Sequence, residues 1–146
     1  MQEIEFFKSL FQKDPNISIL NIDNGCKDIK IALEEIIDEV GGKLTYKKLE
    51  DINEDRFRLV AREFEYVVLS DILTDINNVD RLIKTCYHSL ENSAQIIILA
   101  RKDKQDVYSL LDICDRNDFR ASNQIDIFEE YNVVVAKKMH MWGNGL

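Results

Sequence analysis

Five residues carry side chains or backbone freedom that a ligand site would use: Asn21, Asp23, Gly25, Ser70 and Asp71. The first three lie in Ile19-Leu20-Asn21-Ile22-Asp23-Asn24-Gly25-Cys26-Lys27-Asp28, where an apolar run passes into a polar turn and then an amphipathic stretch. A strand-to-helix turn of this kind offers backbone N–H groups to a ligand. Glycines there supply positive φ and keep a Cβ out of the way. This turn has Gly25 alone, so its architecture can persist while its ligand pocket is damaged. Ser70 and Asp71 follow the apolar run Tyr66-Val67-Val68-Leu69, at the carboxyl end of a predicted central strand, where open α/β sheets bind ligands. Asp71 suits either of two tasks, orienting an acceptor group or capping the turn that follows.

Other chemistries find less support. Asp23-Asn24-Gly25 fails as a calcium loop because Ile22 occupies a position that needs oxygen. Cys26, Cys86 and Cys114 are odd in number, widely spaced and without a C-x-x-C, which points to reduced thiols rather than disulfides or zinc. None has a histidine or basic partner nearby in sequence to make it a nucleophile. His88 reads as a surface or half-buried helix residue. Met139-His140-Met141 offers soft ligands suited to Cu(I), with no further sulfur or histidine near to complete a site. No metal is expected.

A chain of 146 residues suits one domain over 1–146 with a core of its own. Its net charge of −8, from 27 acidic and 19 basic residues, opposes polyanions, so no nucleic-acid partner is expected. Lys47-Lys48, Lys137-Lys138, Arg101-Lys102 and Lys104 are the basic candidates, each near a predicted strand end and most simply solvated. The acidic start Met1-Gln2-Glu3-Ile4-Glu5 lacks the pattern of a signal peptide, and no apolar run reaches the ~20 residues of a membrane helix. The expectation is a cytoplasmic chain with no membrane partner.

The elements that must position the five residues alternate between two periods. Over 1–15, Ile4, Phe7, Leu10 and Phe11 recur at helical spacing, with Phe6 widening the stripe, before Pro15. That helix packs on the sheet, covers a ligand or meets a second subunit. Ile17 to Ile22 predicts a strand, Ile29 to Val40 a helix stopped by Gly41-Gly42, and Lys43 to Leu49 a second strand. Arg56 to Phe64 predicts a short helix. Tyr66–Leu69 and Gln95–Ala100 read as strands buried on both faces, each followed or preceded by an amphipathic helix. Near the end, Ile125 and Ile127 alternate with Asp126, and Tyr131 to Ala136 forms another apolar run with no room for a helix between them. Such strands must pair antiparallel. The fold class is therefore α/β: a three-layer sandwich on a mainly parallel, Rossmann-like sheet that ends in an antiparallel hairpin. In the tail, 139–146, Trp142 between Met141 and Gly143 predicts docking on this or a neighbouring subunit.

This order resembles the class I S-adenosylmethionine-dependent methyltransferases over roughly Ile17 to Lys138. Ile19 to Gly25 is similar to the family's first motif, Phe64 to Leu73 to its fourth strand and the following loop, Asp80 to Ile98 to the next helix, turn and strand, and Tyr131 to Lys138 to its closing hairpin. The resemblance implies a cofactor-binding role for Asn21, Asp23, Gly25, Ser70 and Asp71, with S-adenosylmethionine as the cofactor if the chain is active. The departures fall at that same place. Asn21 stands where the family has an acid, Asp23 and Lys27 where it has glycines. In the family that loop's backbone approaches the methionine part of the cofactor. Lys47-Lys48 end the second strand, where the family has a carboxylate for the ribose hydroxyls. Asp75 and Asn92-Ser93-Ala94 likewise replace a histidine and a proline–glycine–glycine turn. The span from Gly42 to Tyr66 holds one strand where the family has two.

Methyl transfer from a sulfonium needs proximity and alignment more than acid–base groups, so the sequence assigns no catalytic residue. The departures favour a degenerate, non-catalytic member with no cofactor, acting through self-association or a protein partner. The alternative is a small active methyltransferase acting on a small molecule or protein.

Overall fold

The computed structural model describes residues 2–139. Six strands form one sheet: β1 (Ser18–Asp23), β2 (Lys43–Lys48), β3 (Phe64–Ser70), β4 (Leu90–Arg101), β5 (Arg120–Gln124) and β6 (Tyr131–Lys137). Their order across the sheet is β2-β1-β3-β4-β6-β5. The first four are parallel, β6 runs antiparallel beside β4, and β5 antiparallel beside β6. Helices α1 (Gln2–Lys8) and α2 (Lys27–Val40) cover one face, and α3 (Val79–Ser89) and α4 (Val107–Arg116) the other. The expected parallel strands and the antiparallel Tyr131–Ala136 are thus observed.

The strands alternate side chains between two cores. Leu20, Ile22, Val67, Leu69, Ile96 and Ile98 pack against Leu82, Ile83, Cys86 and Leu110 of α3 and α4. Ile19, Tyr66, Val68, Ile97 and Leu99 pack against Ile29, Leu33 and Ile36 of α2 and Phe7 of α1. Because helices cover both faces, the central strands are apolar at nearly every position, at roughly 1.5–3 kcal/mol of burial per large side chain. Phe7 and Phe11 are buried in the second core, so the stripe of α1 serves packing, while Phe6 faces outward.

Helix α2 ends at Gly41 in the left-handed conformation, φ 73°, its N–H donating to the Ile37 carbonyl at 2.8 Å. Gly42 then lets the backbone pass so close to Ile17 that a Cβ would overlap the Ile17 carbonyl oxygen. The α3–α4 contact is fastened by Arg116, whose Nε and Nη2 donate to the two oxygens of Asp80 at 2.8 and 3.1 Å, with Asn117 Nδ2 adding a third bond at 2.8 Å.

Three expectations need correction. Arg56 to Phe64 is not a helix: residues 57–60 are irregular, with Phe57 and Leu59 packed on the first core and Arg56, Arg58 and Val60 exposed. Over 57–60 burial alternates with a period of two, and the segment is held by a turn at its start, where the Arg56 N–H donates to the Asn53 carbonyl, and by bonds to α3. Apart from a 3-10 turn at Leu49–Asp51, the span between β2 and β3 therefore carries no helix. The penultimate strand is Arg120–Gln124 rather than Ile125–Ile127. At the sheet edge it needs no apolar face, and its polar sequence hides it. Lys138 is not a solvated strand-end charge. It is buried at 9% exposure, donating from Nζ to the Leu90 carbonyl at 2.8 Å beneath the Tyr87 ring. Among the described residues no helix is long and apolar enough to cross a membrane. Trp142 lies outside the described residues.

Two measurements test these constraints. Gly42→Ala should lose about 2–3 kcal/mol in urea denaturation because the obstacle is backbone, against about 1 kcal/mol for Gly41→Ala, where only the left-handed φ is strained. Asp80 is held down to about 2 from 3.8, first by Arg116 and then by Asn117. Its contribution is present above the ordinary carboxylate range and lost as pH falls from about 4 toward 2. Asp80→Asn should flatten that part of the acid unfolding curve.

Candidate functional site

The carboxyl ends of β1, β2 and β3 are aligned by register: Asp23 lies beside Lys48 on one side and Ser70 on the other. Asn21, Asp23, Tyr46 and Ser70 all project toward the α2 face, because each differs by an even number from an apolar neighbour packed there. The five residues singled out in the sequence are therefore brought together, and they are joined mainly to one another and to neighbouring loops.

Asp23 is the best connected. At 3% exposure, its Oδ1 accepts the Cys26 N–H at 2.8 Å and its Oδ2 accepts the Tyr46 hydroxyl at 2.7 Å. Burial first, and this bond second, push the Tyr46 phenol up to about 12. Lys30 Nζ lies 4.5 Å from the centre of the same ring. Beside Asp23, Ser70 Oγ donates to Asn21 Oδ1 at 2.9 Å, while the amide nitrogen of Asn21 is buried without a hydrogen-bond partner. Gly25, at φ 84°, supplies the positive φ that lets the chain turn from β1 into α2.

The loop after β1 is stitched to the loop after β3. Asn24 N–H donates to the Ser70 carbonyl, and its Nδ2 donates to the Asp71 carbonyl and to Asp75 Oδ2, each at 3.1 Å. Asp71 is itself left-handed, φ 62°, a conformation aspartate tolerates better than most residues. Its N–H donates to the Leu99 carbonyl at 2.8 Å. Its carboxylate accepts the Arg101 N–H at 3.2 Å and pairs with Arg101 Nε at 3.4 Å and Lys104 Nζ at 4.0 Å. Asp71 thus holds the exit of β4 against the exit of β3. Arg101 extends over the Tyr131 ring, and Cys26 Sγ lies 3.6 Å from the Tyr131 hydroxyl. Burial pushes both the Cys26 thiol and the Tyr131 phenol up, so neither is ionised near neutrality.

A cavity of about 570 Å³ opens beside this network, between α1 and the start of α2, lined by Ile4, Gly25, Cys26, Ile31, Arg101 and Tyr131 among others. Among the described residues no group of three or more His, Cys, Asp or Glu side chains could hold a metal ion. The sequence assigned no site role to Tyr46, Asn24, Cys26, Arg101 or Tyr131. Alternation placed Tyr46 on the face of Leu44, but only the β1–β2 register puts its hydroxyl on Asp23. Arg101, ending a buried strand, shares the position that singled out Asp71.

Neither a family model nor a curated protein sequence matches the chain. Solved structures do. A SAM-dependent methyltransferase from Aquifex aeolicus superposes with a TM-score of 0.75 at 10% identity, over 93% of this chain and 89% of that one. Phosphoethanolamine N-methyltransferase 2 from Haemonchus contortus, in complex with S-adenosyl-L-methionine, gives 0.73 at 12% identity, over 95% of this chain and 52% of that one. A chain of the Haloferax volcanii complex between the Trm112 methyltransferase activator and a methyltransferase gives 0.72 at 7% identity, over 95% and 90%. The fold is that of the class I methyltransferases. At these identities the likeness is one of architecture, and the side chains at the strand ends are this chain's own. In this methyltransferase fold the Asp23–Tyr46 bond joins the exits of β1 and β2.

Tyr46→Phe should lower stability by about 1–2 kcal/mol at neutral pH, since it leaves Asp23 Oδ2 buried with one donor fewer. The raised phenol favours the protonated folded state. Its contribution is present below pH 10 and lost as pH rises from 10 through about 12. Urea midpoints of the wild type should therefore fall across that window more steeply than those of Tyr46→Phe.

Proposed function

We propose that this chain is a degenerate methyltransferase-fold domain that binds no S-adenosylmethionine and works through association with a protein partner or a second copy. The observation that carries the proposal is the double hydrogen bond of Asp23. In the family the loop after the first strand brings glycine backbone up to the cofactor. Here the corresponding position holds a carboxylate, and the Cys26 N–H that it engages is already spent. A carboxylate at this point repels the carboxylate of a methionine moiety and fills the space a glycine leaves.

The rest of the strand ends supports the same view. The residue of β2 in register with Asp23 is Lys48, and the first carboxylate beyond it, Glu50, is exposed in a 3-10 turn. Two ribose hydroxyls therefore meet an ammonium where the family offers two acceptor oxygens. Asn24 ties the β1 and β3 loops together across the gap that a nucleoside would enter. The donors present thus suit the cofactor poorly, and no transfer step is derived through it. The Haloferax neighbour belongs to a complex with an activator protein, so the fold is one on which association is built. The cavity beside Gly25 is the observation that favours the active alternative.

Calorimetric titration with S-adenosylmethionine and S-adenosylhomocysteine tests the proposal. Binding no tighter than about millimolar, ~4 kcal/mol in all, is expected for both. A micromolar dissociation constant for either would return the chain to the active methyltransferases.

A further inference from the structure

The sheet ends in two edges of different kinds. At one, β5 pairs with β6 in a register that shifts between Arg120 and Asn123, and Ala121 is left-handed at φ 55°. A bulged edge of this kind resists a further strand. At the other, β2 pairs with β1 alone, in continuous register from Lys43 to Lys48. No residue of β2 is buried, whereas all of β1 after Ser18 is.

The Lys43 N–H donates to the Ile17 carbonyl at 2.8 Å, so Lys43, Thr45 and Lys47 turn their main-chain groups toward β1. Those of Leu44, Tyr46 and Lys48 therefore point away from the sheet. Among the described residues no hydrogen bond is made to the N–H groups of Leu44, Tyr46 and Lys48 or to the carbonyls of Leu44 and Tyr46. The chain after β2 does not return to cover them. Past the turn at Leu49–Asp51 it crosses to the α3 face. There Phe57 and Leu59 pack on the first core, and the Arg62 and Glu63 N–H groups donate to the His88 and Ser89 carbonyls.

This edge strand is also two-faced. Leu44 and Tyr46 lie on the α2 face, and Lys43, Thr45 and Lys47 on the opposite one. On the first face Lys30 and Glu34 of α2 both approach Tyr46, with opposite charges. On the second, Glu63 reaches Lys43 at 3.8 Å. Among the described residues neither Lys47 nor Lys48 forms an ion pair. Glu50 and Asp51 lie beyond the strand, exposed in the turn. Lysines along an edge oppose pairing with a second copy, which brings both sets to one seam, and favour a strand that carries carboxylates.

We propose that the free edge of β2 takes up an extended segment of a partner protein as a further strand, with carboxylates beside Lys43 and Lys47 and apolar side chains beside Leu44 and Tyr46. The inference rests on the association reading above and names where and how the partner docks. Main-chain hydrogen bonds to Leu44, Tyr46 and Lys48 supply affinity, and the alternation of side chains supplies selectivity.

The probe is a fluorescein-labelled peptide of about seven residues alternating glutamate with valine, enough at ~3.3 Å per residue to match β2. Fluorescence anisotropy with the full chain at physiological salt should saturate. By NMR the bound peptide should slow hydrogen exchange at the amides of Leu44, Tyr46 and Lys48 and leave those of β5 unchanged. Of two peptides N-methylated at alternate positions, one should bind about tenfold more weakly or worse and the other as before. Lys48→Pro removes an outward N–H at φ −84°, near the value proline adopts, and loses no bond to β1. It should weaken binding by about tenfold or more, against a smaller loss for Lys48→Gln. Lys102→Glu, an exposed cation elsewhere, should change nothing. Circular dichroism checks that each variant is folded, and the N-methylated peptides test the edge without any variant. Absence of saturation, protection away from β2, equal binding of the two N-methylated peptides, or equal binding with lysine in place of glutamate overturns the inference. So does a wild-type dimer on gel filtration that Lys48→Pro dissociates, since the occupant is then a second copy. The outcome is separable from the cofactor titration: micromolar S-adenosylmethionine binding with edge binding intact overturns the non-catalytic proposal alone, and loss of edge binding with no cofactor bound overturns the docking site alone.

Discussion

A carboxylate buried at the end of a central strand has to be paired, and Asp23 is the point from which the carboxyl end of this sheet is organised. An unpaired buried charge costs several kcal/mol, so the backbone and side chains around it are constrained to bring donors. One donor is the N–H of Cys26, which fixes how the chain turns at Gly25 and where α2 begins. The other is the hydroxyl of Tyr46, which fixes the end of β2 against the end of β1. A glycine at position 23 would impose neither constraint.

That pairing propagates sideways. With the β1 loop held down, Asn24 is placed to bond the backbone and side chain of the β3 loop, and Asp71 is held in a left-handed conformation that faces Arg101. Left-handed aspartate is a mild strain, and three hydrogen bonds over-determine it: the Asn24 side-chain amide donates to the Asp71 carbonyl, the Asp71 N–H donates to the Leu99 carbonyl, and the Arg101 N–H donates to the Asp71 carboxylate. The site thus exchanges openness for internal bonding. Its polar groups satisfy each other where a cofactor-binding strand end keeps donors and acceptors free for its ligand. Asn21 Nδ2 is the exception, buried and unpartnered beside a satisfied Oδ1.

How much of this was legible in the sequence depends on which physical signal wrote each element. β1, β3 and β4 announce themselves as apolar runs because both of their faces are covered, and the stop of α2 is written in Gly41-Gly42. The five candidate residues were singled out by position, at strand exits in an α/β alternation. Tyr46 was not, because a partner across strands depends on register, and a strand with an alternating pattern has no residue-level mark of its register. β5 was misplaced because an edge strand exposed on both sides carries no hydrophobic period. The 56–64 segment was misassigned because Phe57, Leu59 and Phe64 mix two periods, and its tertiary clamps to α3 decided the outcome.

Loss of regular structure between β2 and β3 also explains where the charge went. A helix there would spread Arg56, Arg58 and Arg62 around its axis. Instead burial alternates over 57–60, so Arg58 and Val60 are exposed while Phe57 and Leu59 anchor the strip to the core. Beside the segment's end the buried Lys138 ammonium is held by the Leu90 carbonyl and the Tyr87 ring rather than by a carboxylate. The segment is held to α3 by hydrogen bonds to main-chain groups rather than by ion pairs.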